Sequence, residues 1–436
     1  MLIELRVENH RSIRDEQALT MQAADDGDLT DPRPRQVPGF AGRLLPAAAL
    51  YGANASGKSN VLSALGFMRD AVLRSFGAWP PEDAVPRDPF AWGVKSEEPS
   101  LFEVTVLVKG VRYQYGFVAN DDYFIEEWLY AWPNSRKQVW FERDGDRFKF
   151  GKRLDGENLL VAGITRPNAL FLSAVLRVRH QQLAPLYGWF RDLRMVNVGR
   201  VGHATPLDME SEHRMRQTQQ AWHTRMTQRS LRSEEGAIDQ RLASFVDLLR
   251  AADVGIVDLT IKDEGPAFLN SDGLGERRLR ALLRHHSDTQ EDAWLRLEQE
   301  SQGTRTLYWI GHVLLDVIEN GGLLLVDEMD ASLHPVLALK IVTQFNDPKI
   351  NRHNAQILFT THDTHLLGTM LGEPPLRRDQ VWLTEKDPDG ATCLYPLTDY
   401  KPQPDENVER GYLQGRYGAI PFLGDLVSVG KPADGE

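Results

Sequence analysis

Residues 52–59 read Gly-Ala-Asn-Ala-Ser-Gly-Lys-Ser. A mostly apolar run, Leu44–Tyr51, enters this loop. Val61, Leu62, Leu65, Met68, Val72 and Phe76 follow it near helical spacing, as on a helix with one buried stripe. Strand, glycine-rich turn and helix in that order leave few folds open to the chain. The glycines let backbone N–H groups turn toward an anion, and the helix aims its positive end at the same point. Lys58 would reach the β- and γ-phosphates of a nucleotide, and the Ser59 hydroxyl would ligate Mg²⁺. Gly52, Ala53, Asn54, Ala55, Ser56, Gly57, Lys58, Ser59 and Asn60 are the expected nucleotide-binding run.

A second site is expected at Leu323-Leu324-Leu325-Val326-Asp327-Glu328. The apolar strand is buried, and acids at its end are costly unless paired or metal-bound. Asp327 would hold Mg²⁺, and Glu328 would orient and deprotonate an attacking water. Upstream, Glu300-Ser301-Gln302-Gly303-Thr304 precedes a helix near 304–318, so Ser301 can cap it and its N–H groups can meet an anion. Downstream, Gln356–Thr360 reads as a strand followed by Thr361-His362-Asp363. His362 at that strand end is positioned to donate to a γ-phosphate and sense its loss. His365 reads as a surface histidine.

Along the chain, residues 2–8 alternate as a strand. Phe102–Val108 and Val111–Phe117 alternate around Lys109-Gly110 as a hairpin. Segments 123–132, 138–142 and 147–150 extend an antiparallel sheet. Residues 166–232 hold eleven arginines, no lysine and four acids. With Trp189, Phe190 and Trp222 they could stack and pair with nucleic acid, although a solvated helical face is the preferred reading. Asp121-Asp122 and Glu126-Glu127 read as hairpin decoration. Val381–Glu385 and Thr392–Leu397 form a last hairpin around Asp387-Pro388-Asp389-Gly390. The expected division is 1–165, 166–250, 251–400 and 401–436, with the second part an inserted helical lobe.

The order of these motifs resembles the ABC-type ATPase heads rather than the ring-forming AAA+ machines. That resemblance implies an α/β P-loop NTPase head, with an antiparallel β lobe beside a parallel-sheet nucleotide core. It implies ATP and Mg²⁺, and catalytic roles for Lys58, Glu328 and His362. It also implies that Ser301 and Gly303 of one copy cap the nucleotide held by another, with Met329–Pro335 at the same seam. Leu5–Ile13 is similar to the first strand of RecF/SMC-type heads, where Arg11 would approach the nucleotide. Asp327-Glu328 with Ser332-Leu333-His334-Pro335 and Thr360–Asp363 resembles the OLD and abortive-infection group. Segments 379–386 and 412–421 resemble its RloA-type subgroup. The implied role is bacterial defence against phage, responding to a phage-derived trigger and acting with a separate RloB-like TOPRIM nuclease or toxin effector. Only 74 residues follow His362, too few for a TOPRIM domain, so nuclease activity in this chain is not expected. A RecF-like DNA-repair ATPase that binds DNA is the alternative.

Composition agrees with a soluble cytoplasmic protein. The 436 residues carry a formal charge of −12, with 42% hydrophobic and 26% charged residues, which excludes a disordered or collagenous chain. The acidic balance argues against wrapping nucleic acid with the whole surface. No apolar run reaches the roughly 18 residues of a membrane span. The lone Cys393 excludes an internal disulfide framework.

Overall fold

The computed structural model describes residues 1–24, 30–178, 180–197, 240–252, 255–266, 277–290, 292–331, 333–370, 372–401 and 406–421. The alternating start of the chain is β1 (Leu2–Glu8), with Ile3, Leu5 and Val7 buried and Arg6 exposed. β2 (Gln17–Thr20) pairs antiparallel with it. A short ribbon, β3 (Arg35–Gln36) and β4 (Arg43–Leu44), leads to β5 (Ala47–Gly52), the glycine-rich loop and α1 (Lys58–Arg74). β6 (Ser100–Val108) returns to β1. The meander β7 (Val111–Ala119), β8 (Phe124–Trp132), β9 (Gln138–Asp144) and β10 (Arg147–Phe150) completes a seven-stranded sheet, ordered β10-β9-β8-β7-β6-β1-β2. Period-two alternation located β1, β6 and β7, and aromatic-rich segments located β8, β9 and β10, whereas β2 gave no such signal.

Helices α2 (Asn158–Ile164), α3 (Phe171–Ala174) and α4 (Ala184–Asp192) follow, then β11 (Arg194–Val196). Phe171, Leu172, Leu186 and Phe190 lie in the same core as α1 and the antiparallel sheet. Trp189 is 8% exposed and Phe190 is fully buried. Neither can stack on a base, which corrects that candidate. Trp222 and the rest of 198–239 lie outside the described residues. α5 (Gln240–Ala252) is followed by a three-stranded antiparallel sheet that sequence periodicity did not reveal: β12 (Ile256–Pro266), β13 (Arg277–His285) and β14 (Trp294–Arg296).

The last part supplies α6 (Gln302–Asn320), β15 (Leu323–Val326), α7 (Pro335–Asn346), β16 (Gln356–Thr360), β17 (Val381–Lys386), β18 (Thr392–Pro396) and α8 (Val408–Leu413). These close a six-stranded sheet ordered β11-β15-β16-β5-β17-β18. All pairs are parallel except β17 with β18.

Both faces of this sheet are covered, and the pleat sorts its side chains. On β5, Ala48 and Leu50 enter the core shared with α1 and the antiparallel sheet, while Ala47, Ala49 and Tyr51 enter a second core with α5, α6 and α7. β15 divides likewise, Leu323 and Leu325 to one side, Leu324 and Val326 to the other. Burial on both faces is why these strands read as unbroken apolar runs. Each buried leucine contributes about 1.5–3 kcal/mol. Among the described residues, no helix is long and apolar enough to cross a membrane.

Candidate functional site

At the carboxyl edge of the parallel sheet, β5 turns through residues 53–57 into α1. Gly57 is the N-cap with φ 109°, in the left-handed region, and a Cβ there would lie 2.1 Å from Thr392 Oγ1. Only glycine meets both conditions. A directed chain of hydrogen bonds holds the loop. Asn60 Nδ2 donates to Ser12 Oγ (2.6 Å), Ser12 shares a 2.7 Å bond with Thr392 Oγ1, and the Thr392 hydroxyl donates to the Ser56 carbonyl (2.8 Å). Ser56 Oγ and Thr384 Oγ1 are 2.6 Å apart. The turn is thus tied to the N-terminal segment and to both strands of the terminal hairpin.

Lys58 is buried, and its Nζ donates to the carbonyls of Gly52 and Ala53, each at 2.9 Å. Burial pulls its pKa down, while Asp327, Asp330 and Glu328 oppose that pull. The ammonium therefore folds over its own loop, where an anion entering the turn would meet it.

Two strands away, β15 delivers Asp327 to the same edge. Ser59 Oγ donates to Asp327 Oδ1 at 2.9 Å, and Thr360 Oγ1 donates to the same oxygen at 2.6 Å. The Glu328 N–H donates to Thr360 Oγ1 at 2.7 Å. Glu328 is solvent-exposed and has φ 51°, a left-handed conformation that costs a non-glycine residue energy and recurs at functional sites. Ser59 and Asp327 form a hard-oxygen pair of the kind that binds Mg²⁺ alongside phosphate oxygens and water. Sequence reasoning missed Thr360 as a site residue. Its only signal was a polar side chain following the apolar Ile357, Leu358 and Phe359 of the strand.

His362, two residues beyond β16, donates its backbone N–H to both Asp330 oxygens at 3.2 Å. Its ring reaches solvent, yet neighbouring groups crowd it. Burial first, then the Lys58 charge, lowers its pKa, against Asp330 and Glu328. His365 is bonded to Asp363 at 2.6 Å. Arg11 has φ 53° and pairs through Nε with Asp88 Oδ2 at 3.2 Å, next to the Ser12 that reaches the loop.

The structure therefore gathers the 52–60 loop, Asp327, Glu328 and the His362 turn at one edge. Ser301 is placed differently. It is exposed, caps α6 by accepting the Thr304 N–H at 3.1 Å, and is followed by Gly303 in the first turn. α6 returns through Gly321-Gly322 into β15. Ser332 lies outside the described residues.

Residues 47–368 match the family model described as AAA domain, putative AbiEii toxin, Type IV TA system. The chain belongs to this family. The match spans the loop, both acids and His362 of this AAA-domain protein. Similar solved structures include the SMC head domain from Thermotoga maritima, 11% identical, with 91% of this chain and 98% of that one covered and a TM-score of 0.38. The SmcHead bound to the C-winged helix domain of ScpA is 12% identical, with 90% and 96% covered and a TM-score of 0.43. The Smc head domain with an extended coiled coil, bound to the C-terminal domain of ScpA derived from Pyrococcus furiosus, is 11% identical, with 92% and 97% covered and a TM-score of 0.40. No curated protein matches the chain.

Proposed function

We propose that the chain binds and hydrolyses ATP as a two-copy switch. The observation that carries this reading is the Ser59–Asp327–Thr360 cluster at the sheet edge, beside a helix N-terminus capped by a left-handed glycine. The loop amides and Lys58 bind the phosphates. Ser59 and Asp327 hold Mg²⁺, which when bound neutralises charge on the transferring phosphoryl group. Glu328, exposed beside that pair, orients a water and takes its proton. His362 contacts the terminal phosphate.

Ser301, with Gly303, caps the nucleotide of a second copy. Its exposure and its position at a helix N-terminus support that reading. Nucleotide then joins the two copies, and hydrolysis releases them. The output is conformational, exposing or freeing a separate effector. The family description, with its toxin and toxin–antitoxin system, supports a role in bacterial defence. An RloB-like TOPRIM partner and the RloA-type subgroup rest on segments 379–386 and 412–421, beyond the matched residues.

A mixing experiment tests the shared site. Lys58→Ala and Ser301→Arg each abolish turnover alone. Mixed, they form one intact site from Lys58 of one copy and Ser301 of the other, and ATPase activity returns. Two folded variants that stay inactive when mixed overturn the two-copy arrangement.

A further inference from the structure

The geometry points to Thr360 as the positioning residue that aims both acids of the site. This rests on the ATPase reading above. Thr360 is fully buried at the end of β16, one step beyond the registered pair Val326 and Phe359. It makes three bonds to three consecutive residues. Its hydroxyl donates to Asp327 Oδ1 (2.6 Å) and accepts the Glu328 N–H (2.7 Å), and its carbonyl accepts the Met329 N–H (3.0 Å).

A hydroxyl has one proton and two lone pairs. Donation to Asp327 commits the proton, so the lone pairs face the Glu328 amide, and both groups are satisfied at once. The arrangement holds Asp327 Oδ1 against Ser59, and it holds Glu328 in its left-handed turn at φ 51°. Without the hydroxyl the Glu328 amide loses its acceptor and the turn loses what offsets its backbone strain. The carboxylate of Glu328 then has no fixed starting point toward a water. Valine keeps the branched shape but lacks the oxygen, and serine keeps the oxygen but lacks the methyl. The two variants separate the hydroxyl's contribution from packing.

The test compares Thr360→Val, Thr360→Ser and Glu328→Gln with the wild-type chain in ATP turnover, binding of a fluorescent ATP analogue, melting temperature, and hydrogen exchange at the Glu328 amide. Thr360→Val should lower kcat about 10–100-fold while analogue binding stays within about threefold. Its Glu328 amide should exchange about tenfold faster. Thr360→Ser should keep at least about half of kcat, and wild-type exchange. Thr360→Val with wild-type kcat, while Glu328→Gln is inactive, overturns the positioning role and leaves the ATPase reading standing. Parallel losses of binding, melting temperature and kcat in both Thr360 variants assign the residue to folding alone and also overturn it. Unchanged turnover in Glu328→Gln removes the base, and with it the reason for aiming it.

Discussion

Ser59 Oγ lies 2.9 Å from Asp327 Oδ1 across 268 residues of chain. Neither residue is near the other in any local element. One is the second residue of α1, which follows β5, and the other directly follows β15, and β16 separates β5 from β15 in the sheet. The parallel register brings the carboxyl ends of β5, β16 and β15 to one edge, so a loop, a hydroxyl and two acids meet there.

Glu328→Gln should lower turnover about 10²–10⁴-fold and trap an ATP-bound closed assembly, visible as an ATP-dependent shift in size-exclusion chromatography. Glu328→Gly should be equally inactive, yet at least as stable as wild type to urea. Glycine relieves a left-handed backbone that costs on the order of 1–3 kcal/mol.

Lys58→Ala should weaken nucleotide binding about 10–100-fold, the worth of charge-assisted hydrogen bonds of about 1.5–3 kcal/mol. Isothermal calorimetry with ATP reads this directly. Unfolding should shift by no more than about 1–3 kcal/mol, because the bonds Lys58 makes among the described residues go to the Gly52 and Ala53 carbonyls, the first buried and the second part-buried.

His10 gives a pH dependence. It is fully buried against Phe102, and its Nε2 lies 2.8 Å from Ser63 Oγ. Burial, aided by Arg11, pushes its pKa down to about 3 from an ordinary 6.5. Between those values the unfolded chain binds the extra proton. The contribution is complete above about pH 6.5 and is lost as pH falls toward 3, by up to about 1.4 kcal/mol per pH unit. Urea unfolding at pH 7 and pH 5 should show about 2 kcal/mol more loss in wild type than in His10→Asn, which does not titrate. Equal losses would contradict it.

Glu127 and Glu126 adjoin each other on β8 and should behave oppositely. Glu126 is exposed. Glu127 is fully buried and accepts the Phe171 and Leu172 N–H groups (2.7 and 3.1 Å) and the Tyr115 hydroxyl (2.9 Å), with Arg143 at 3.9 Å. This corrects the reading of Glu127 as hairpin decoration, while the exposed Glu126 agrees with it. Glu127→Ala should cost about 3–5 kcal/mol by leaving Arg143 buried without its partner. Glu126→Ala should stay within about 0.5 kcal/mol. Chemical denaturation measures both.

The strands from β6 to β10, the turn at 52–59 and the acids after β15 were legible because each depends on near neighbours in the chain. Alternation, glycine placement and the end of an apolar run are local properties, and the physics behind them acts over a few residues. The same reasoning could not tell Glu127 from Glu126, because their fates differ only through Phe171, Leu172 and Arg143. It could not bury Trp189 and Phe190, because an arginine-rich setting outweighed an apolar stripe that packs on α1 and the antiparallel sheet. The three strands between 256 and 296 escaped notice because charged residues interrupt their alternation, as in Arg277–His285.

By itself, then, the sequence determined which chemical groups were present and the order in which a phosphate-binding turn, two acids and a histidine follow one another. Only the tertiary structure decided that Thr360, Ser12 and Thr392 bond to that loop and its acids, and that Ser301 caps its own helix. The reason is physical. A hydrogen bond between residues hundreds of positions apart exists only once strand register and sheet order have been set by burial of both faces. No local pattern encodes that register one bond at a time.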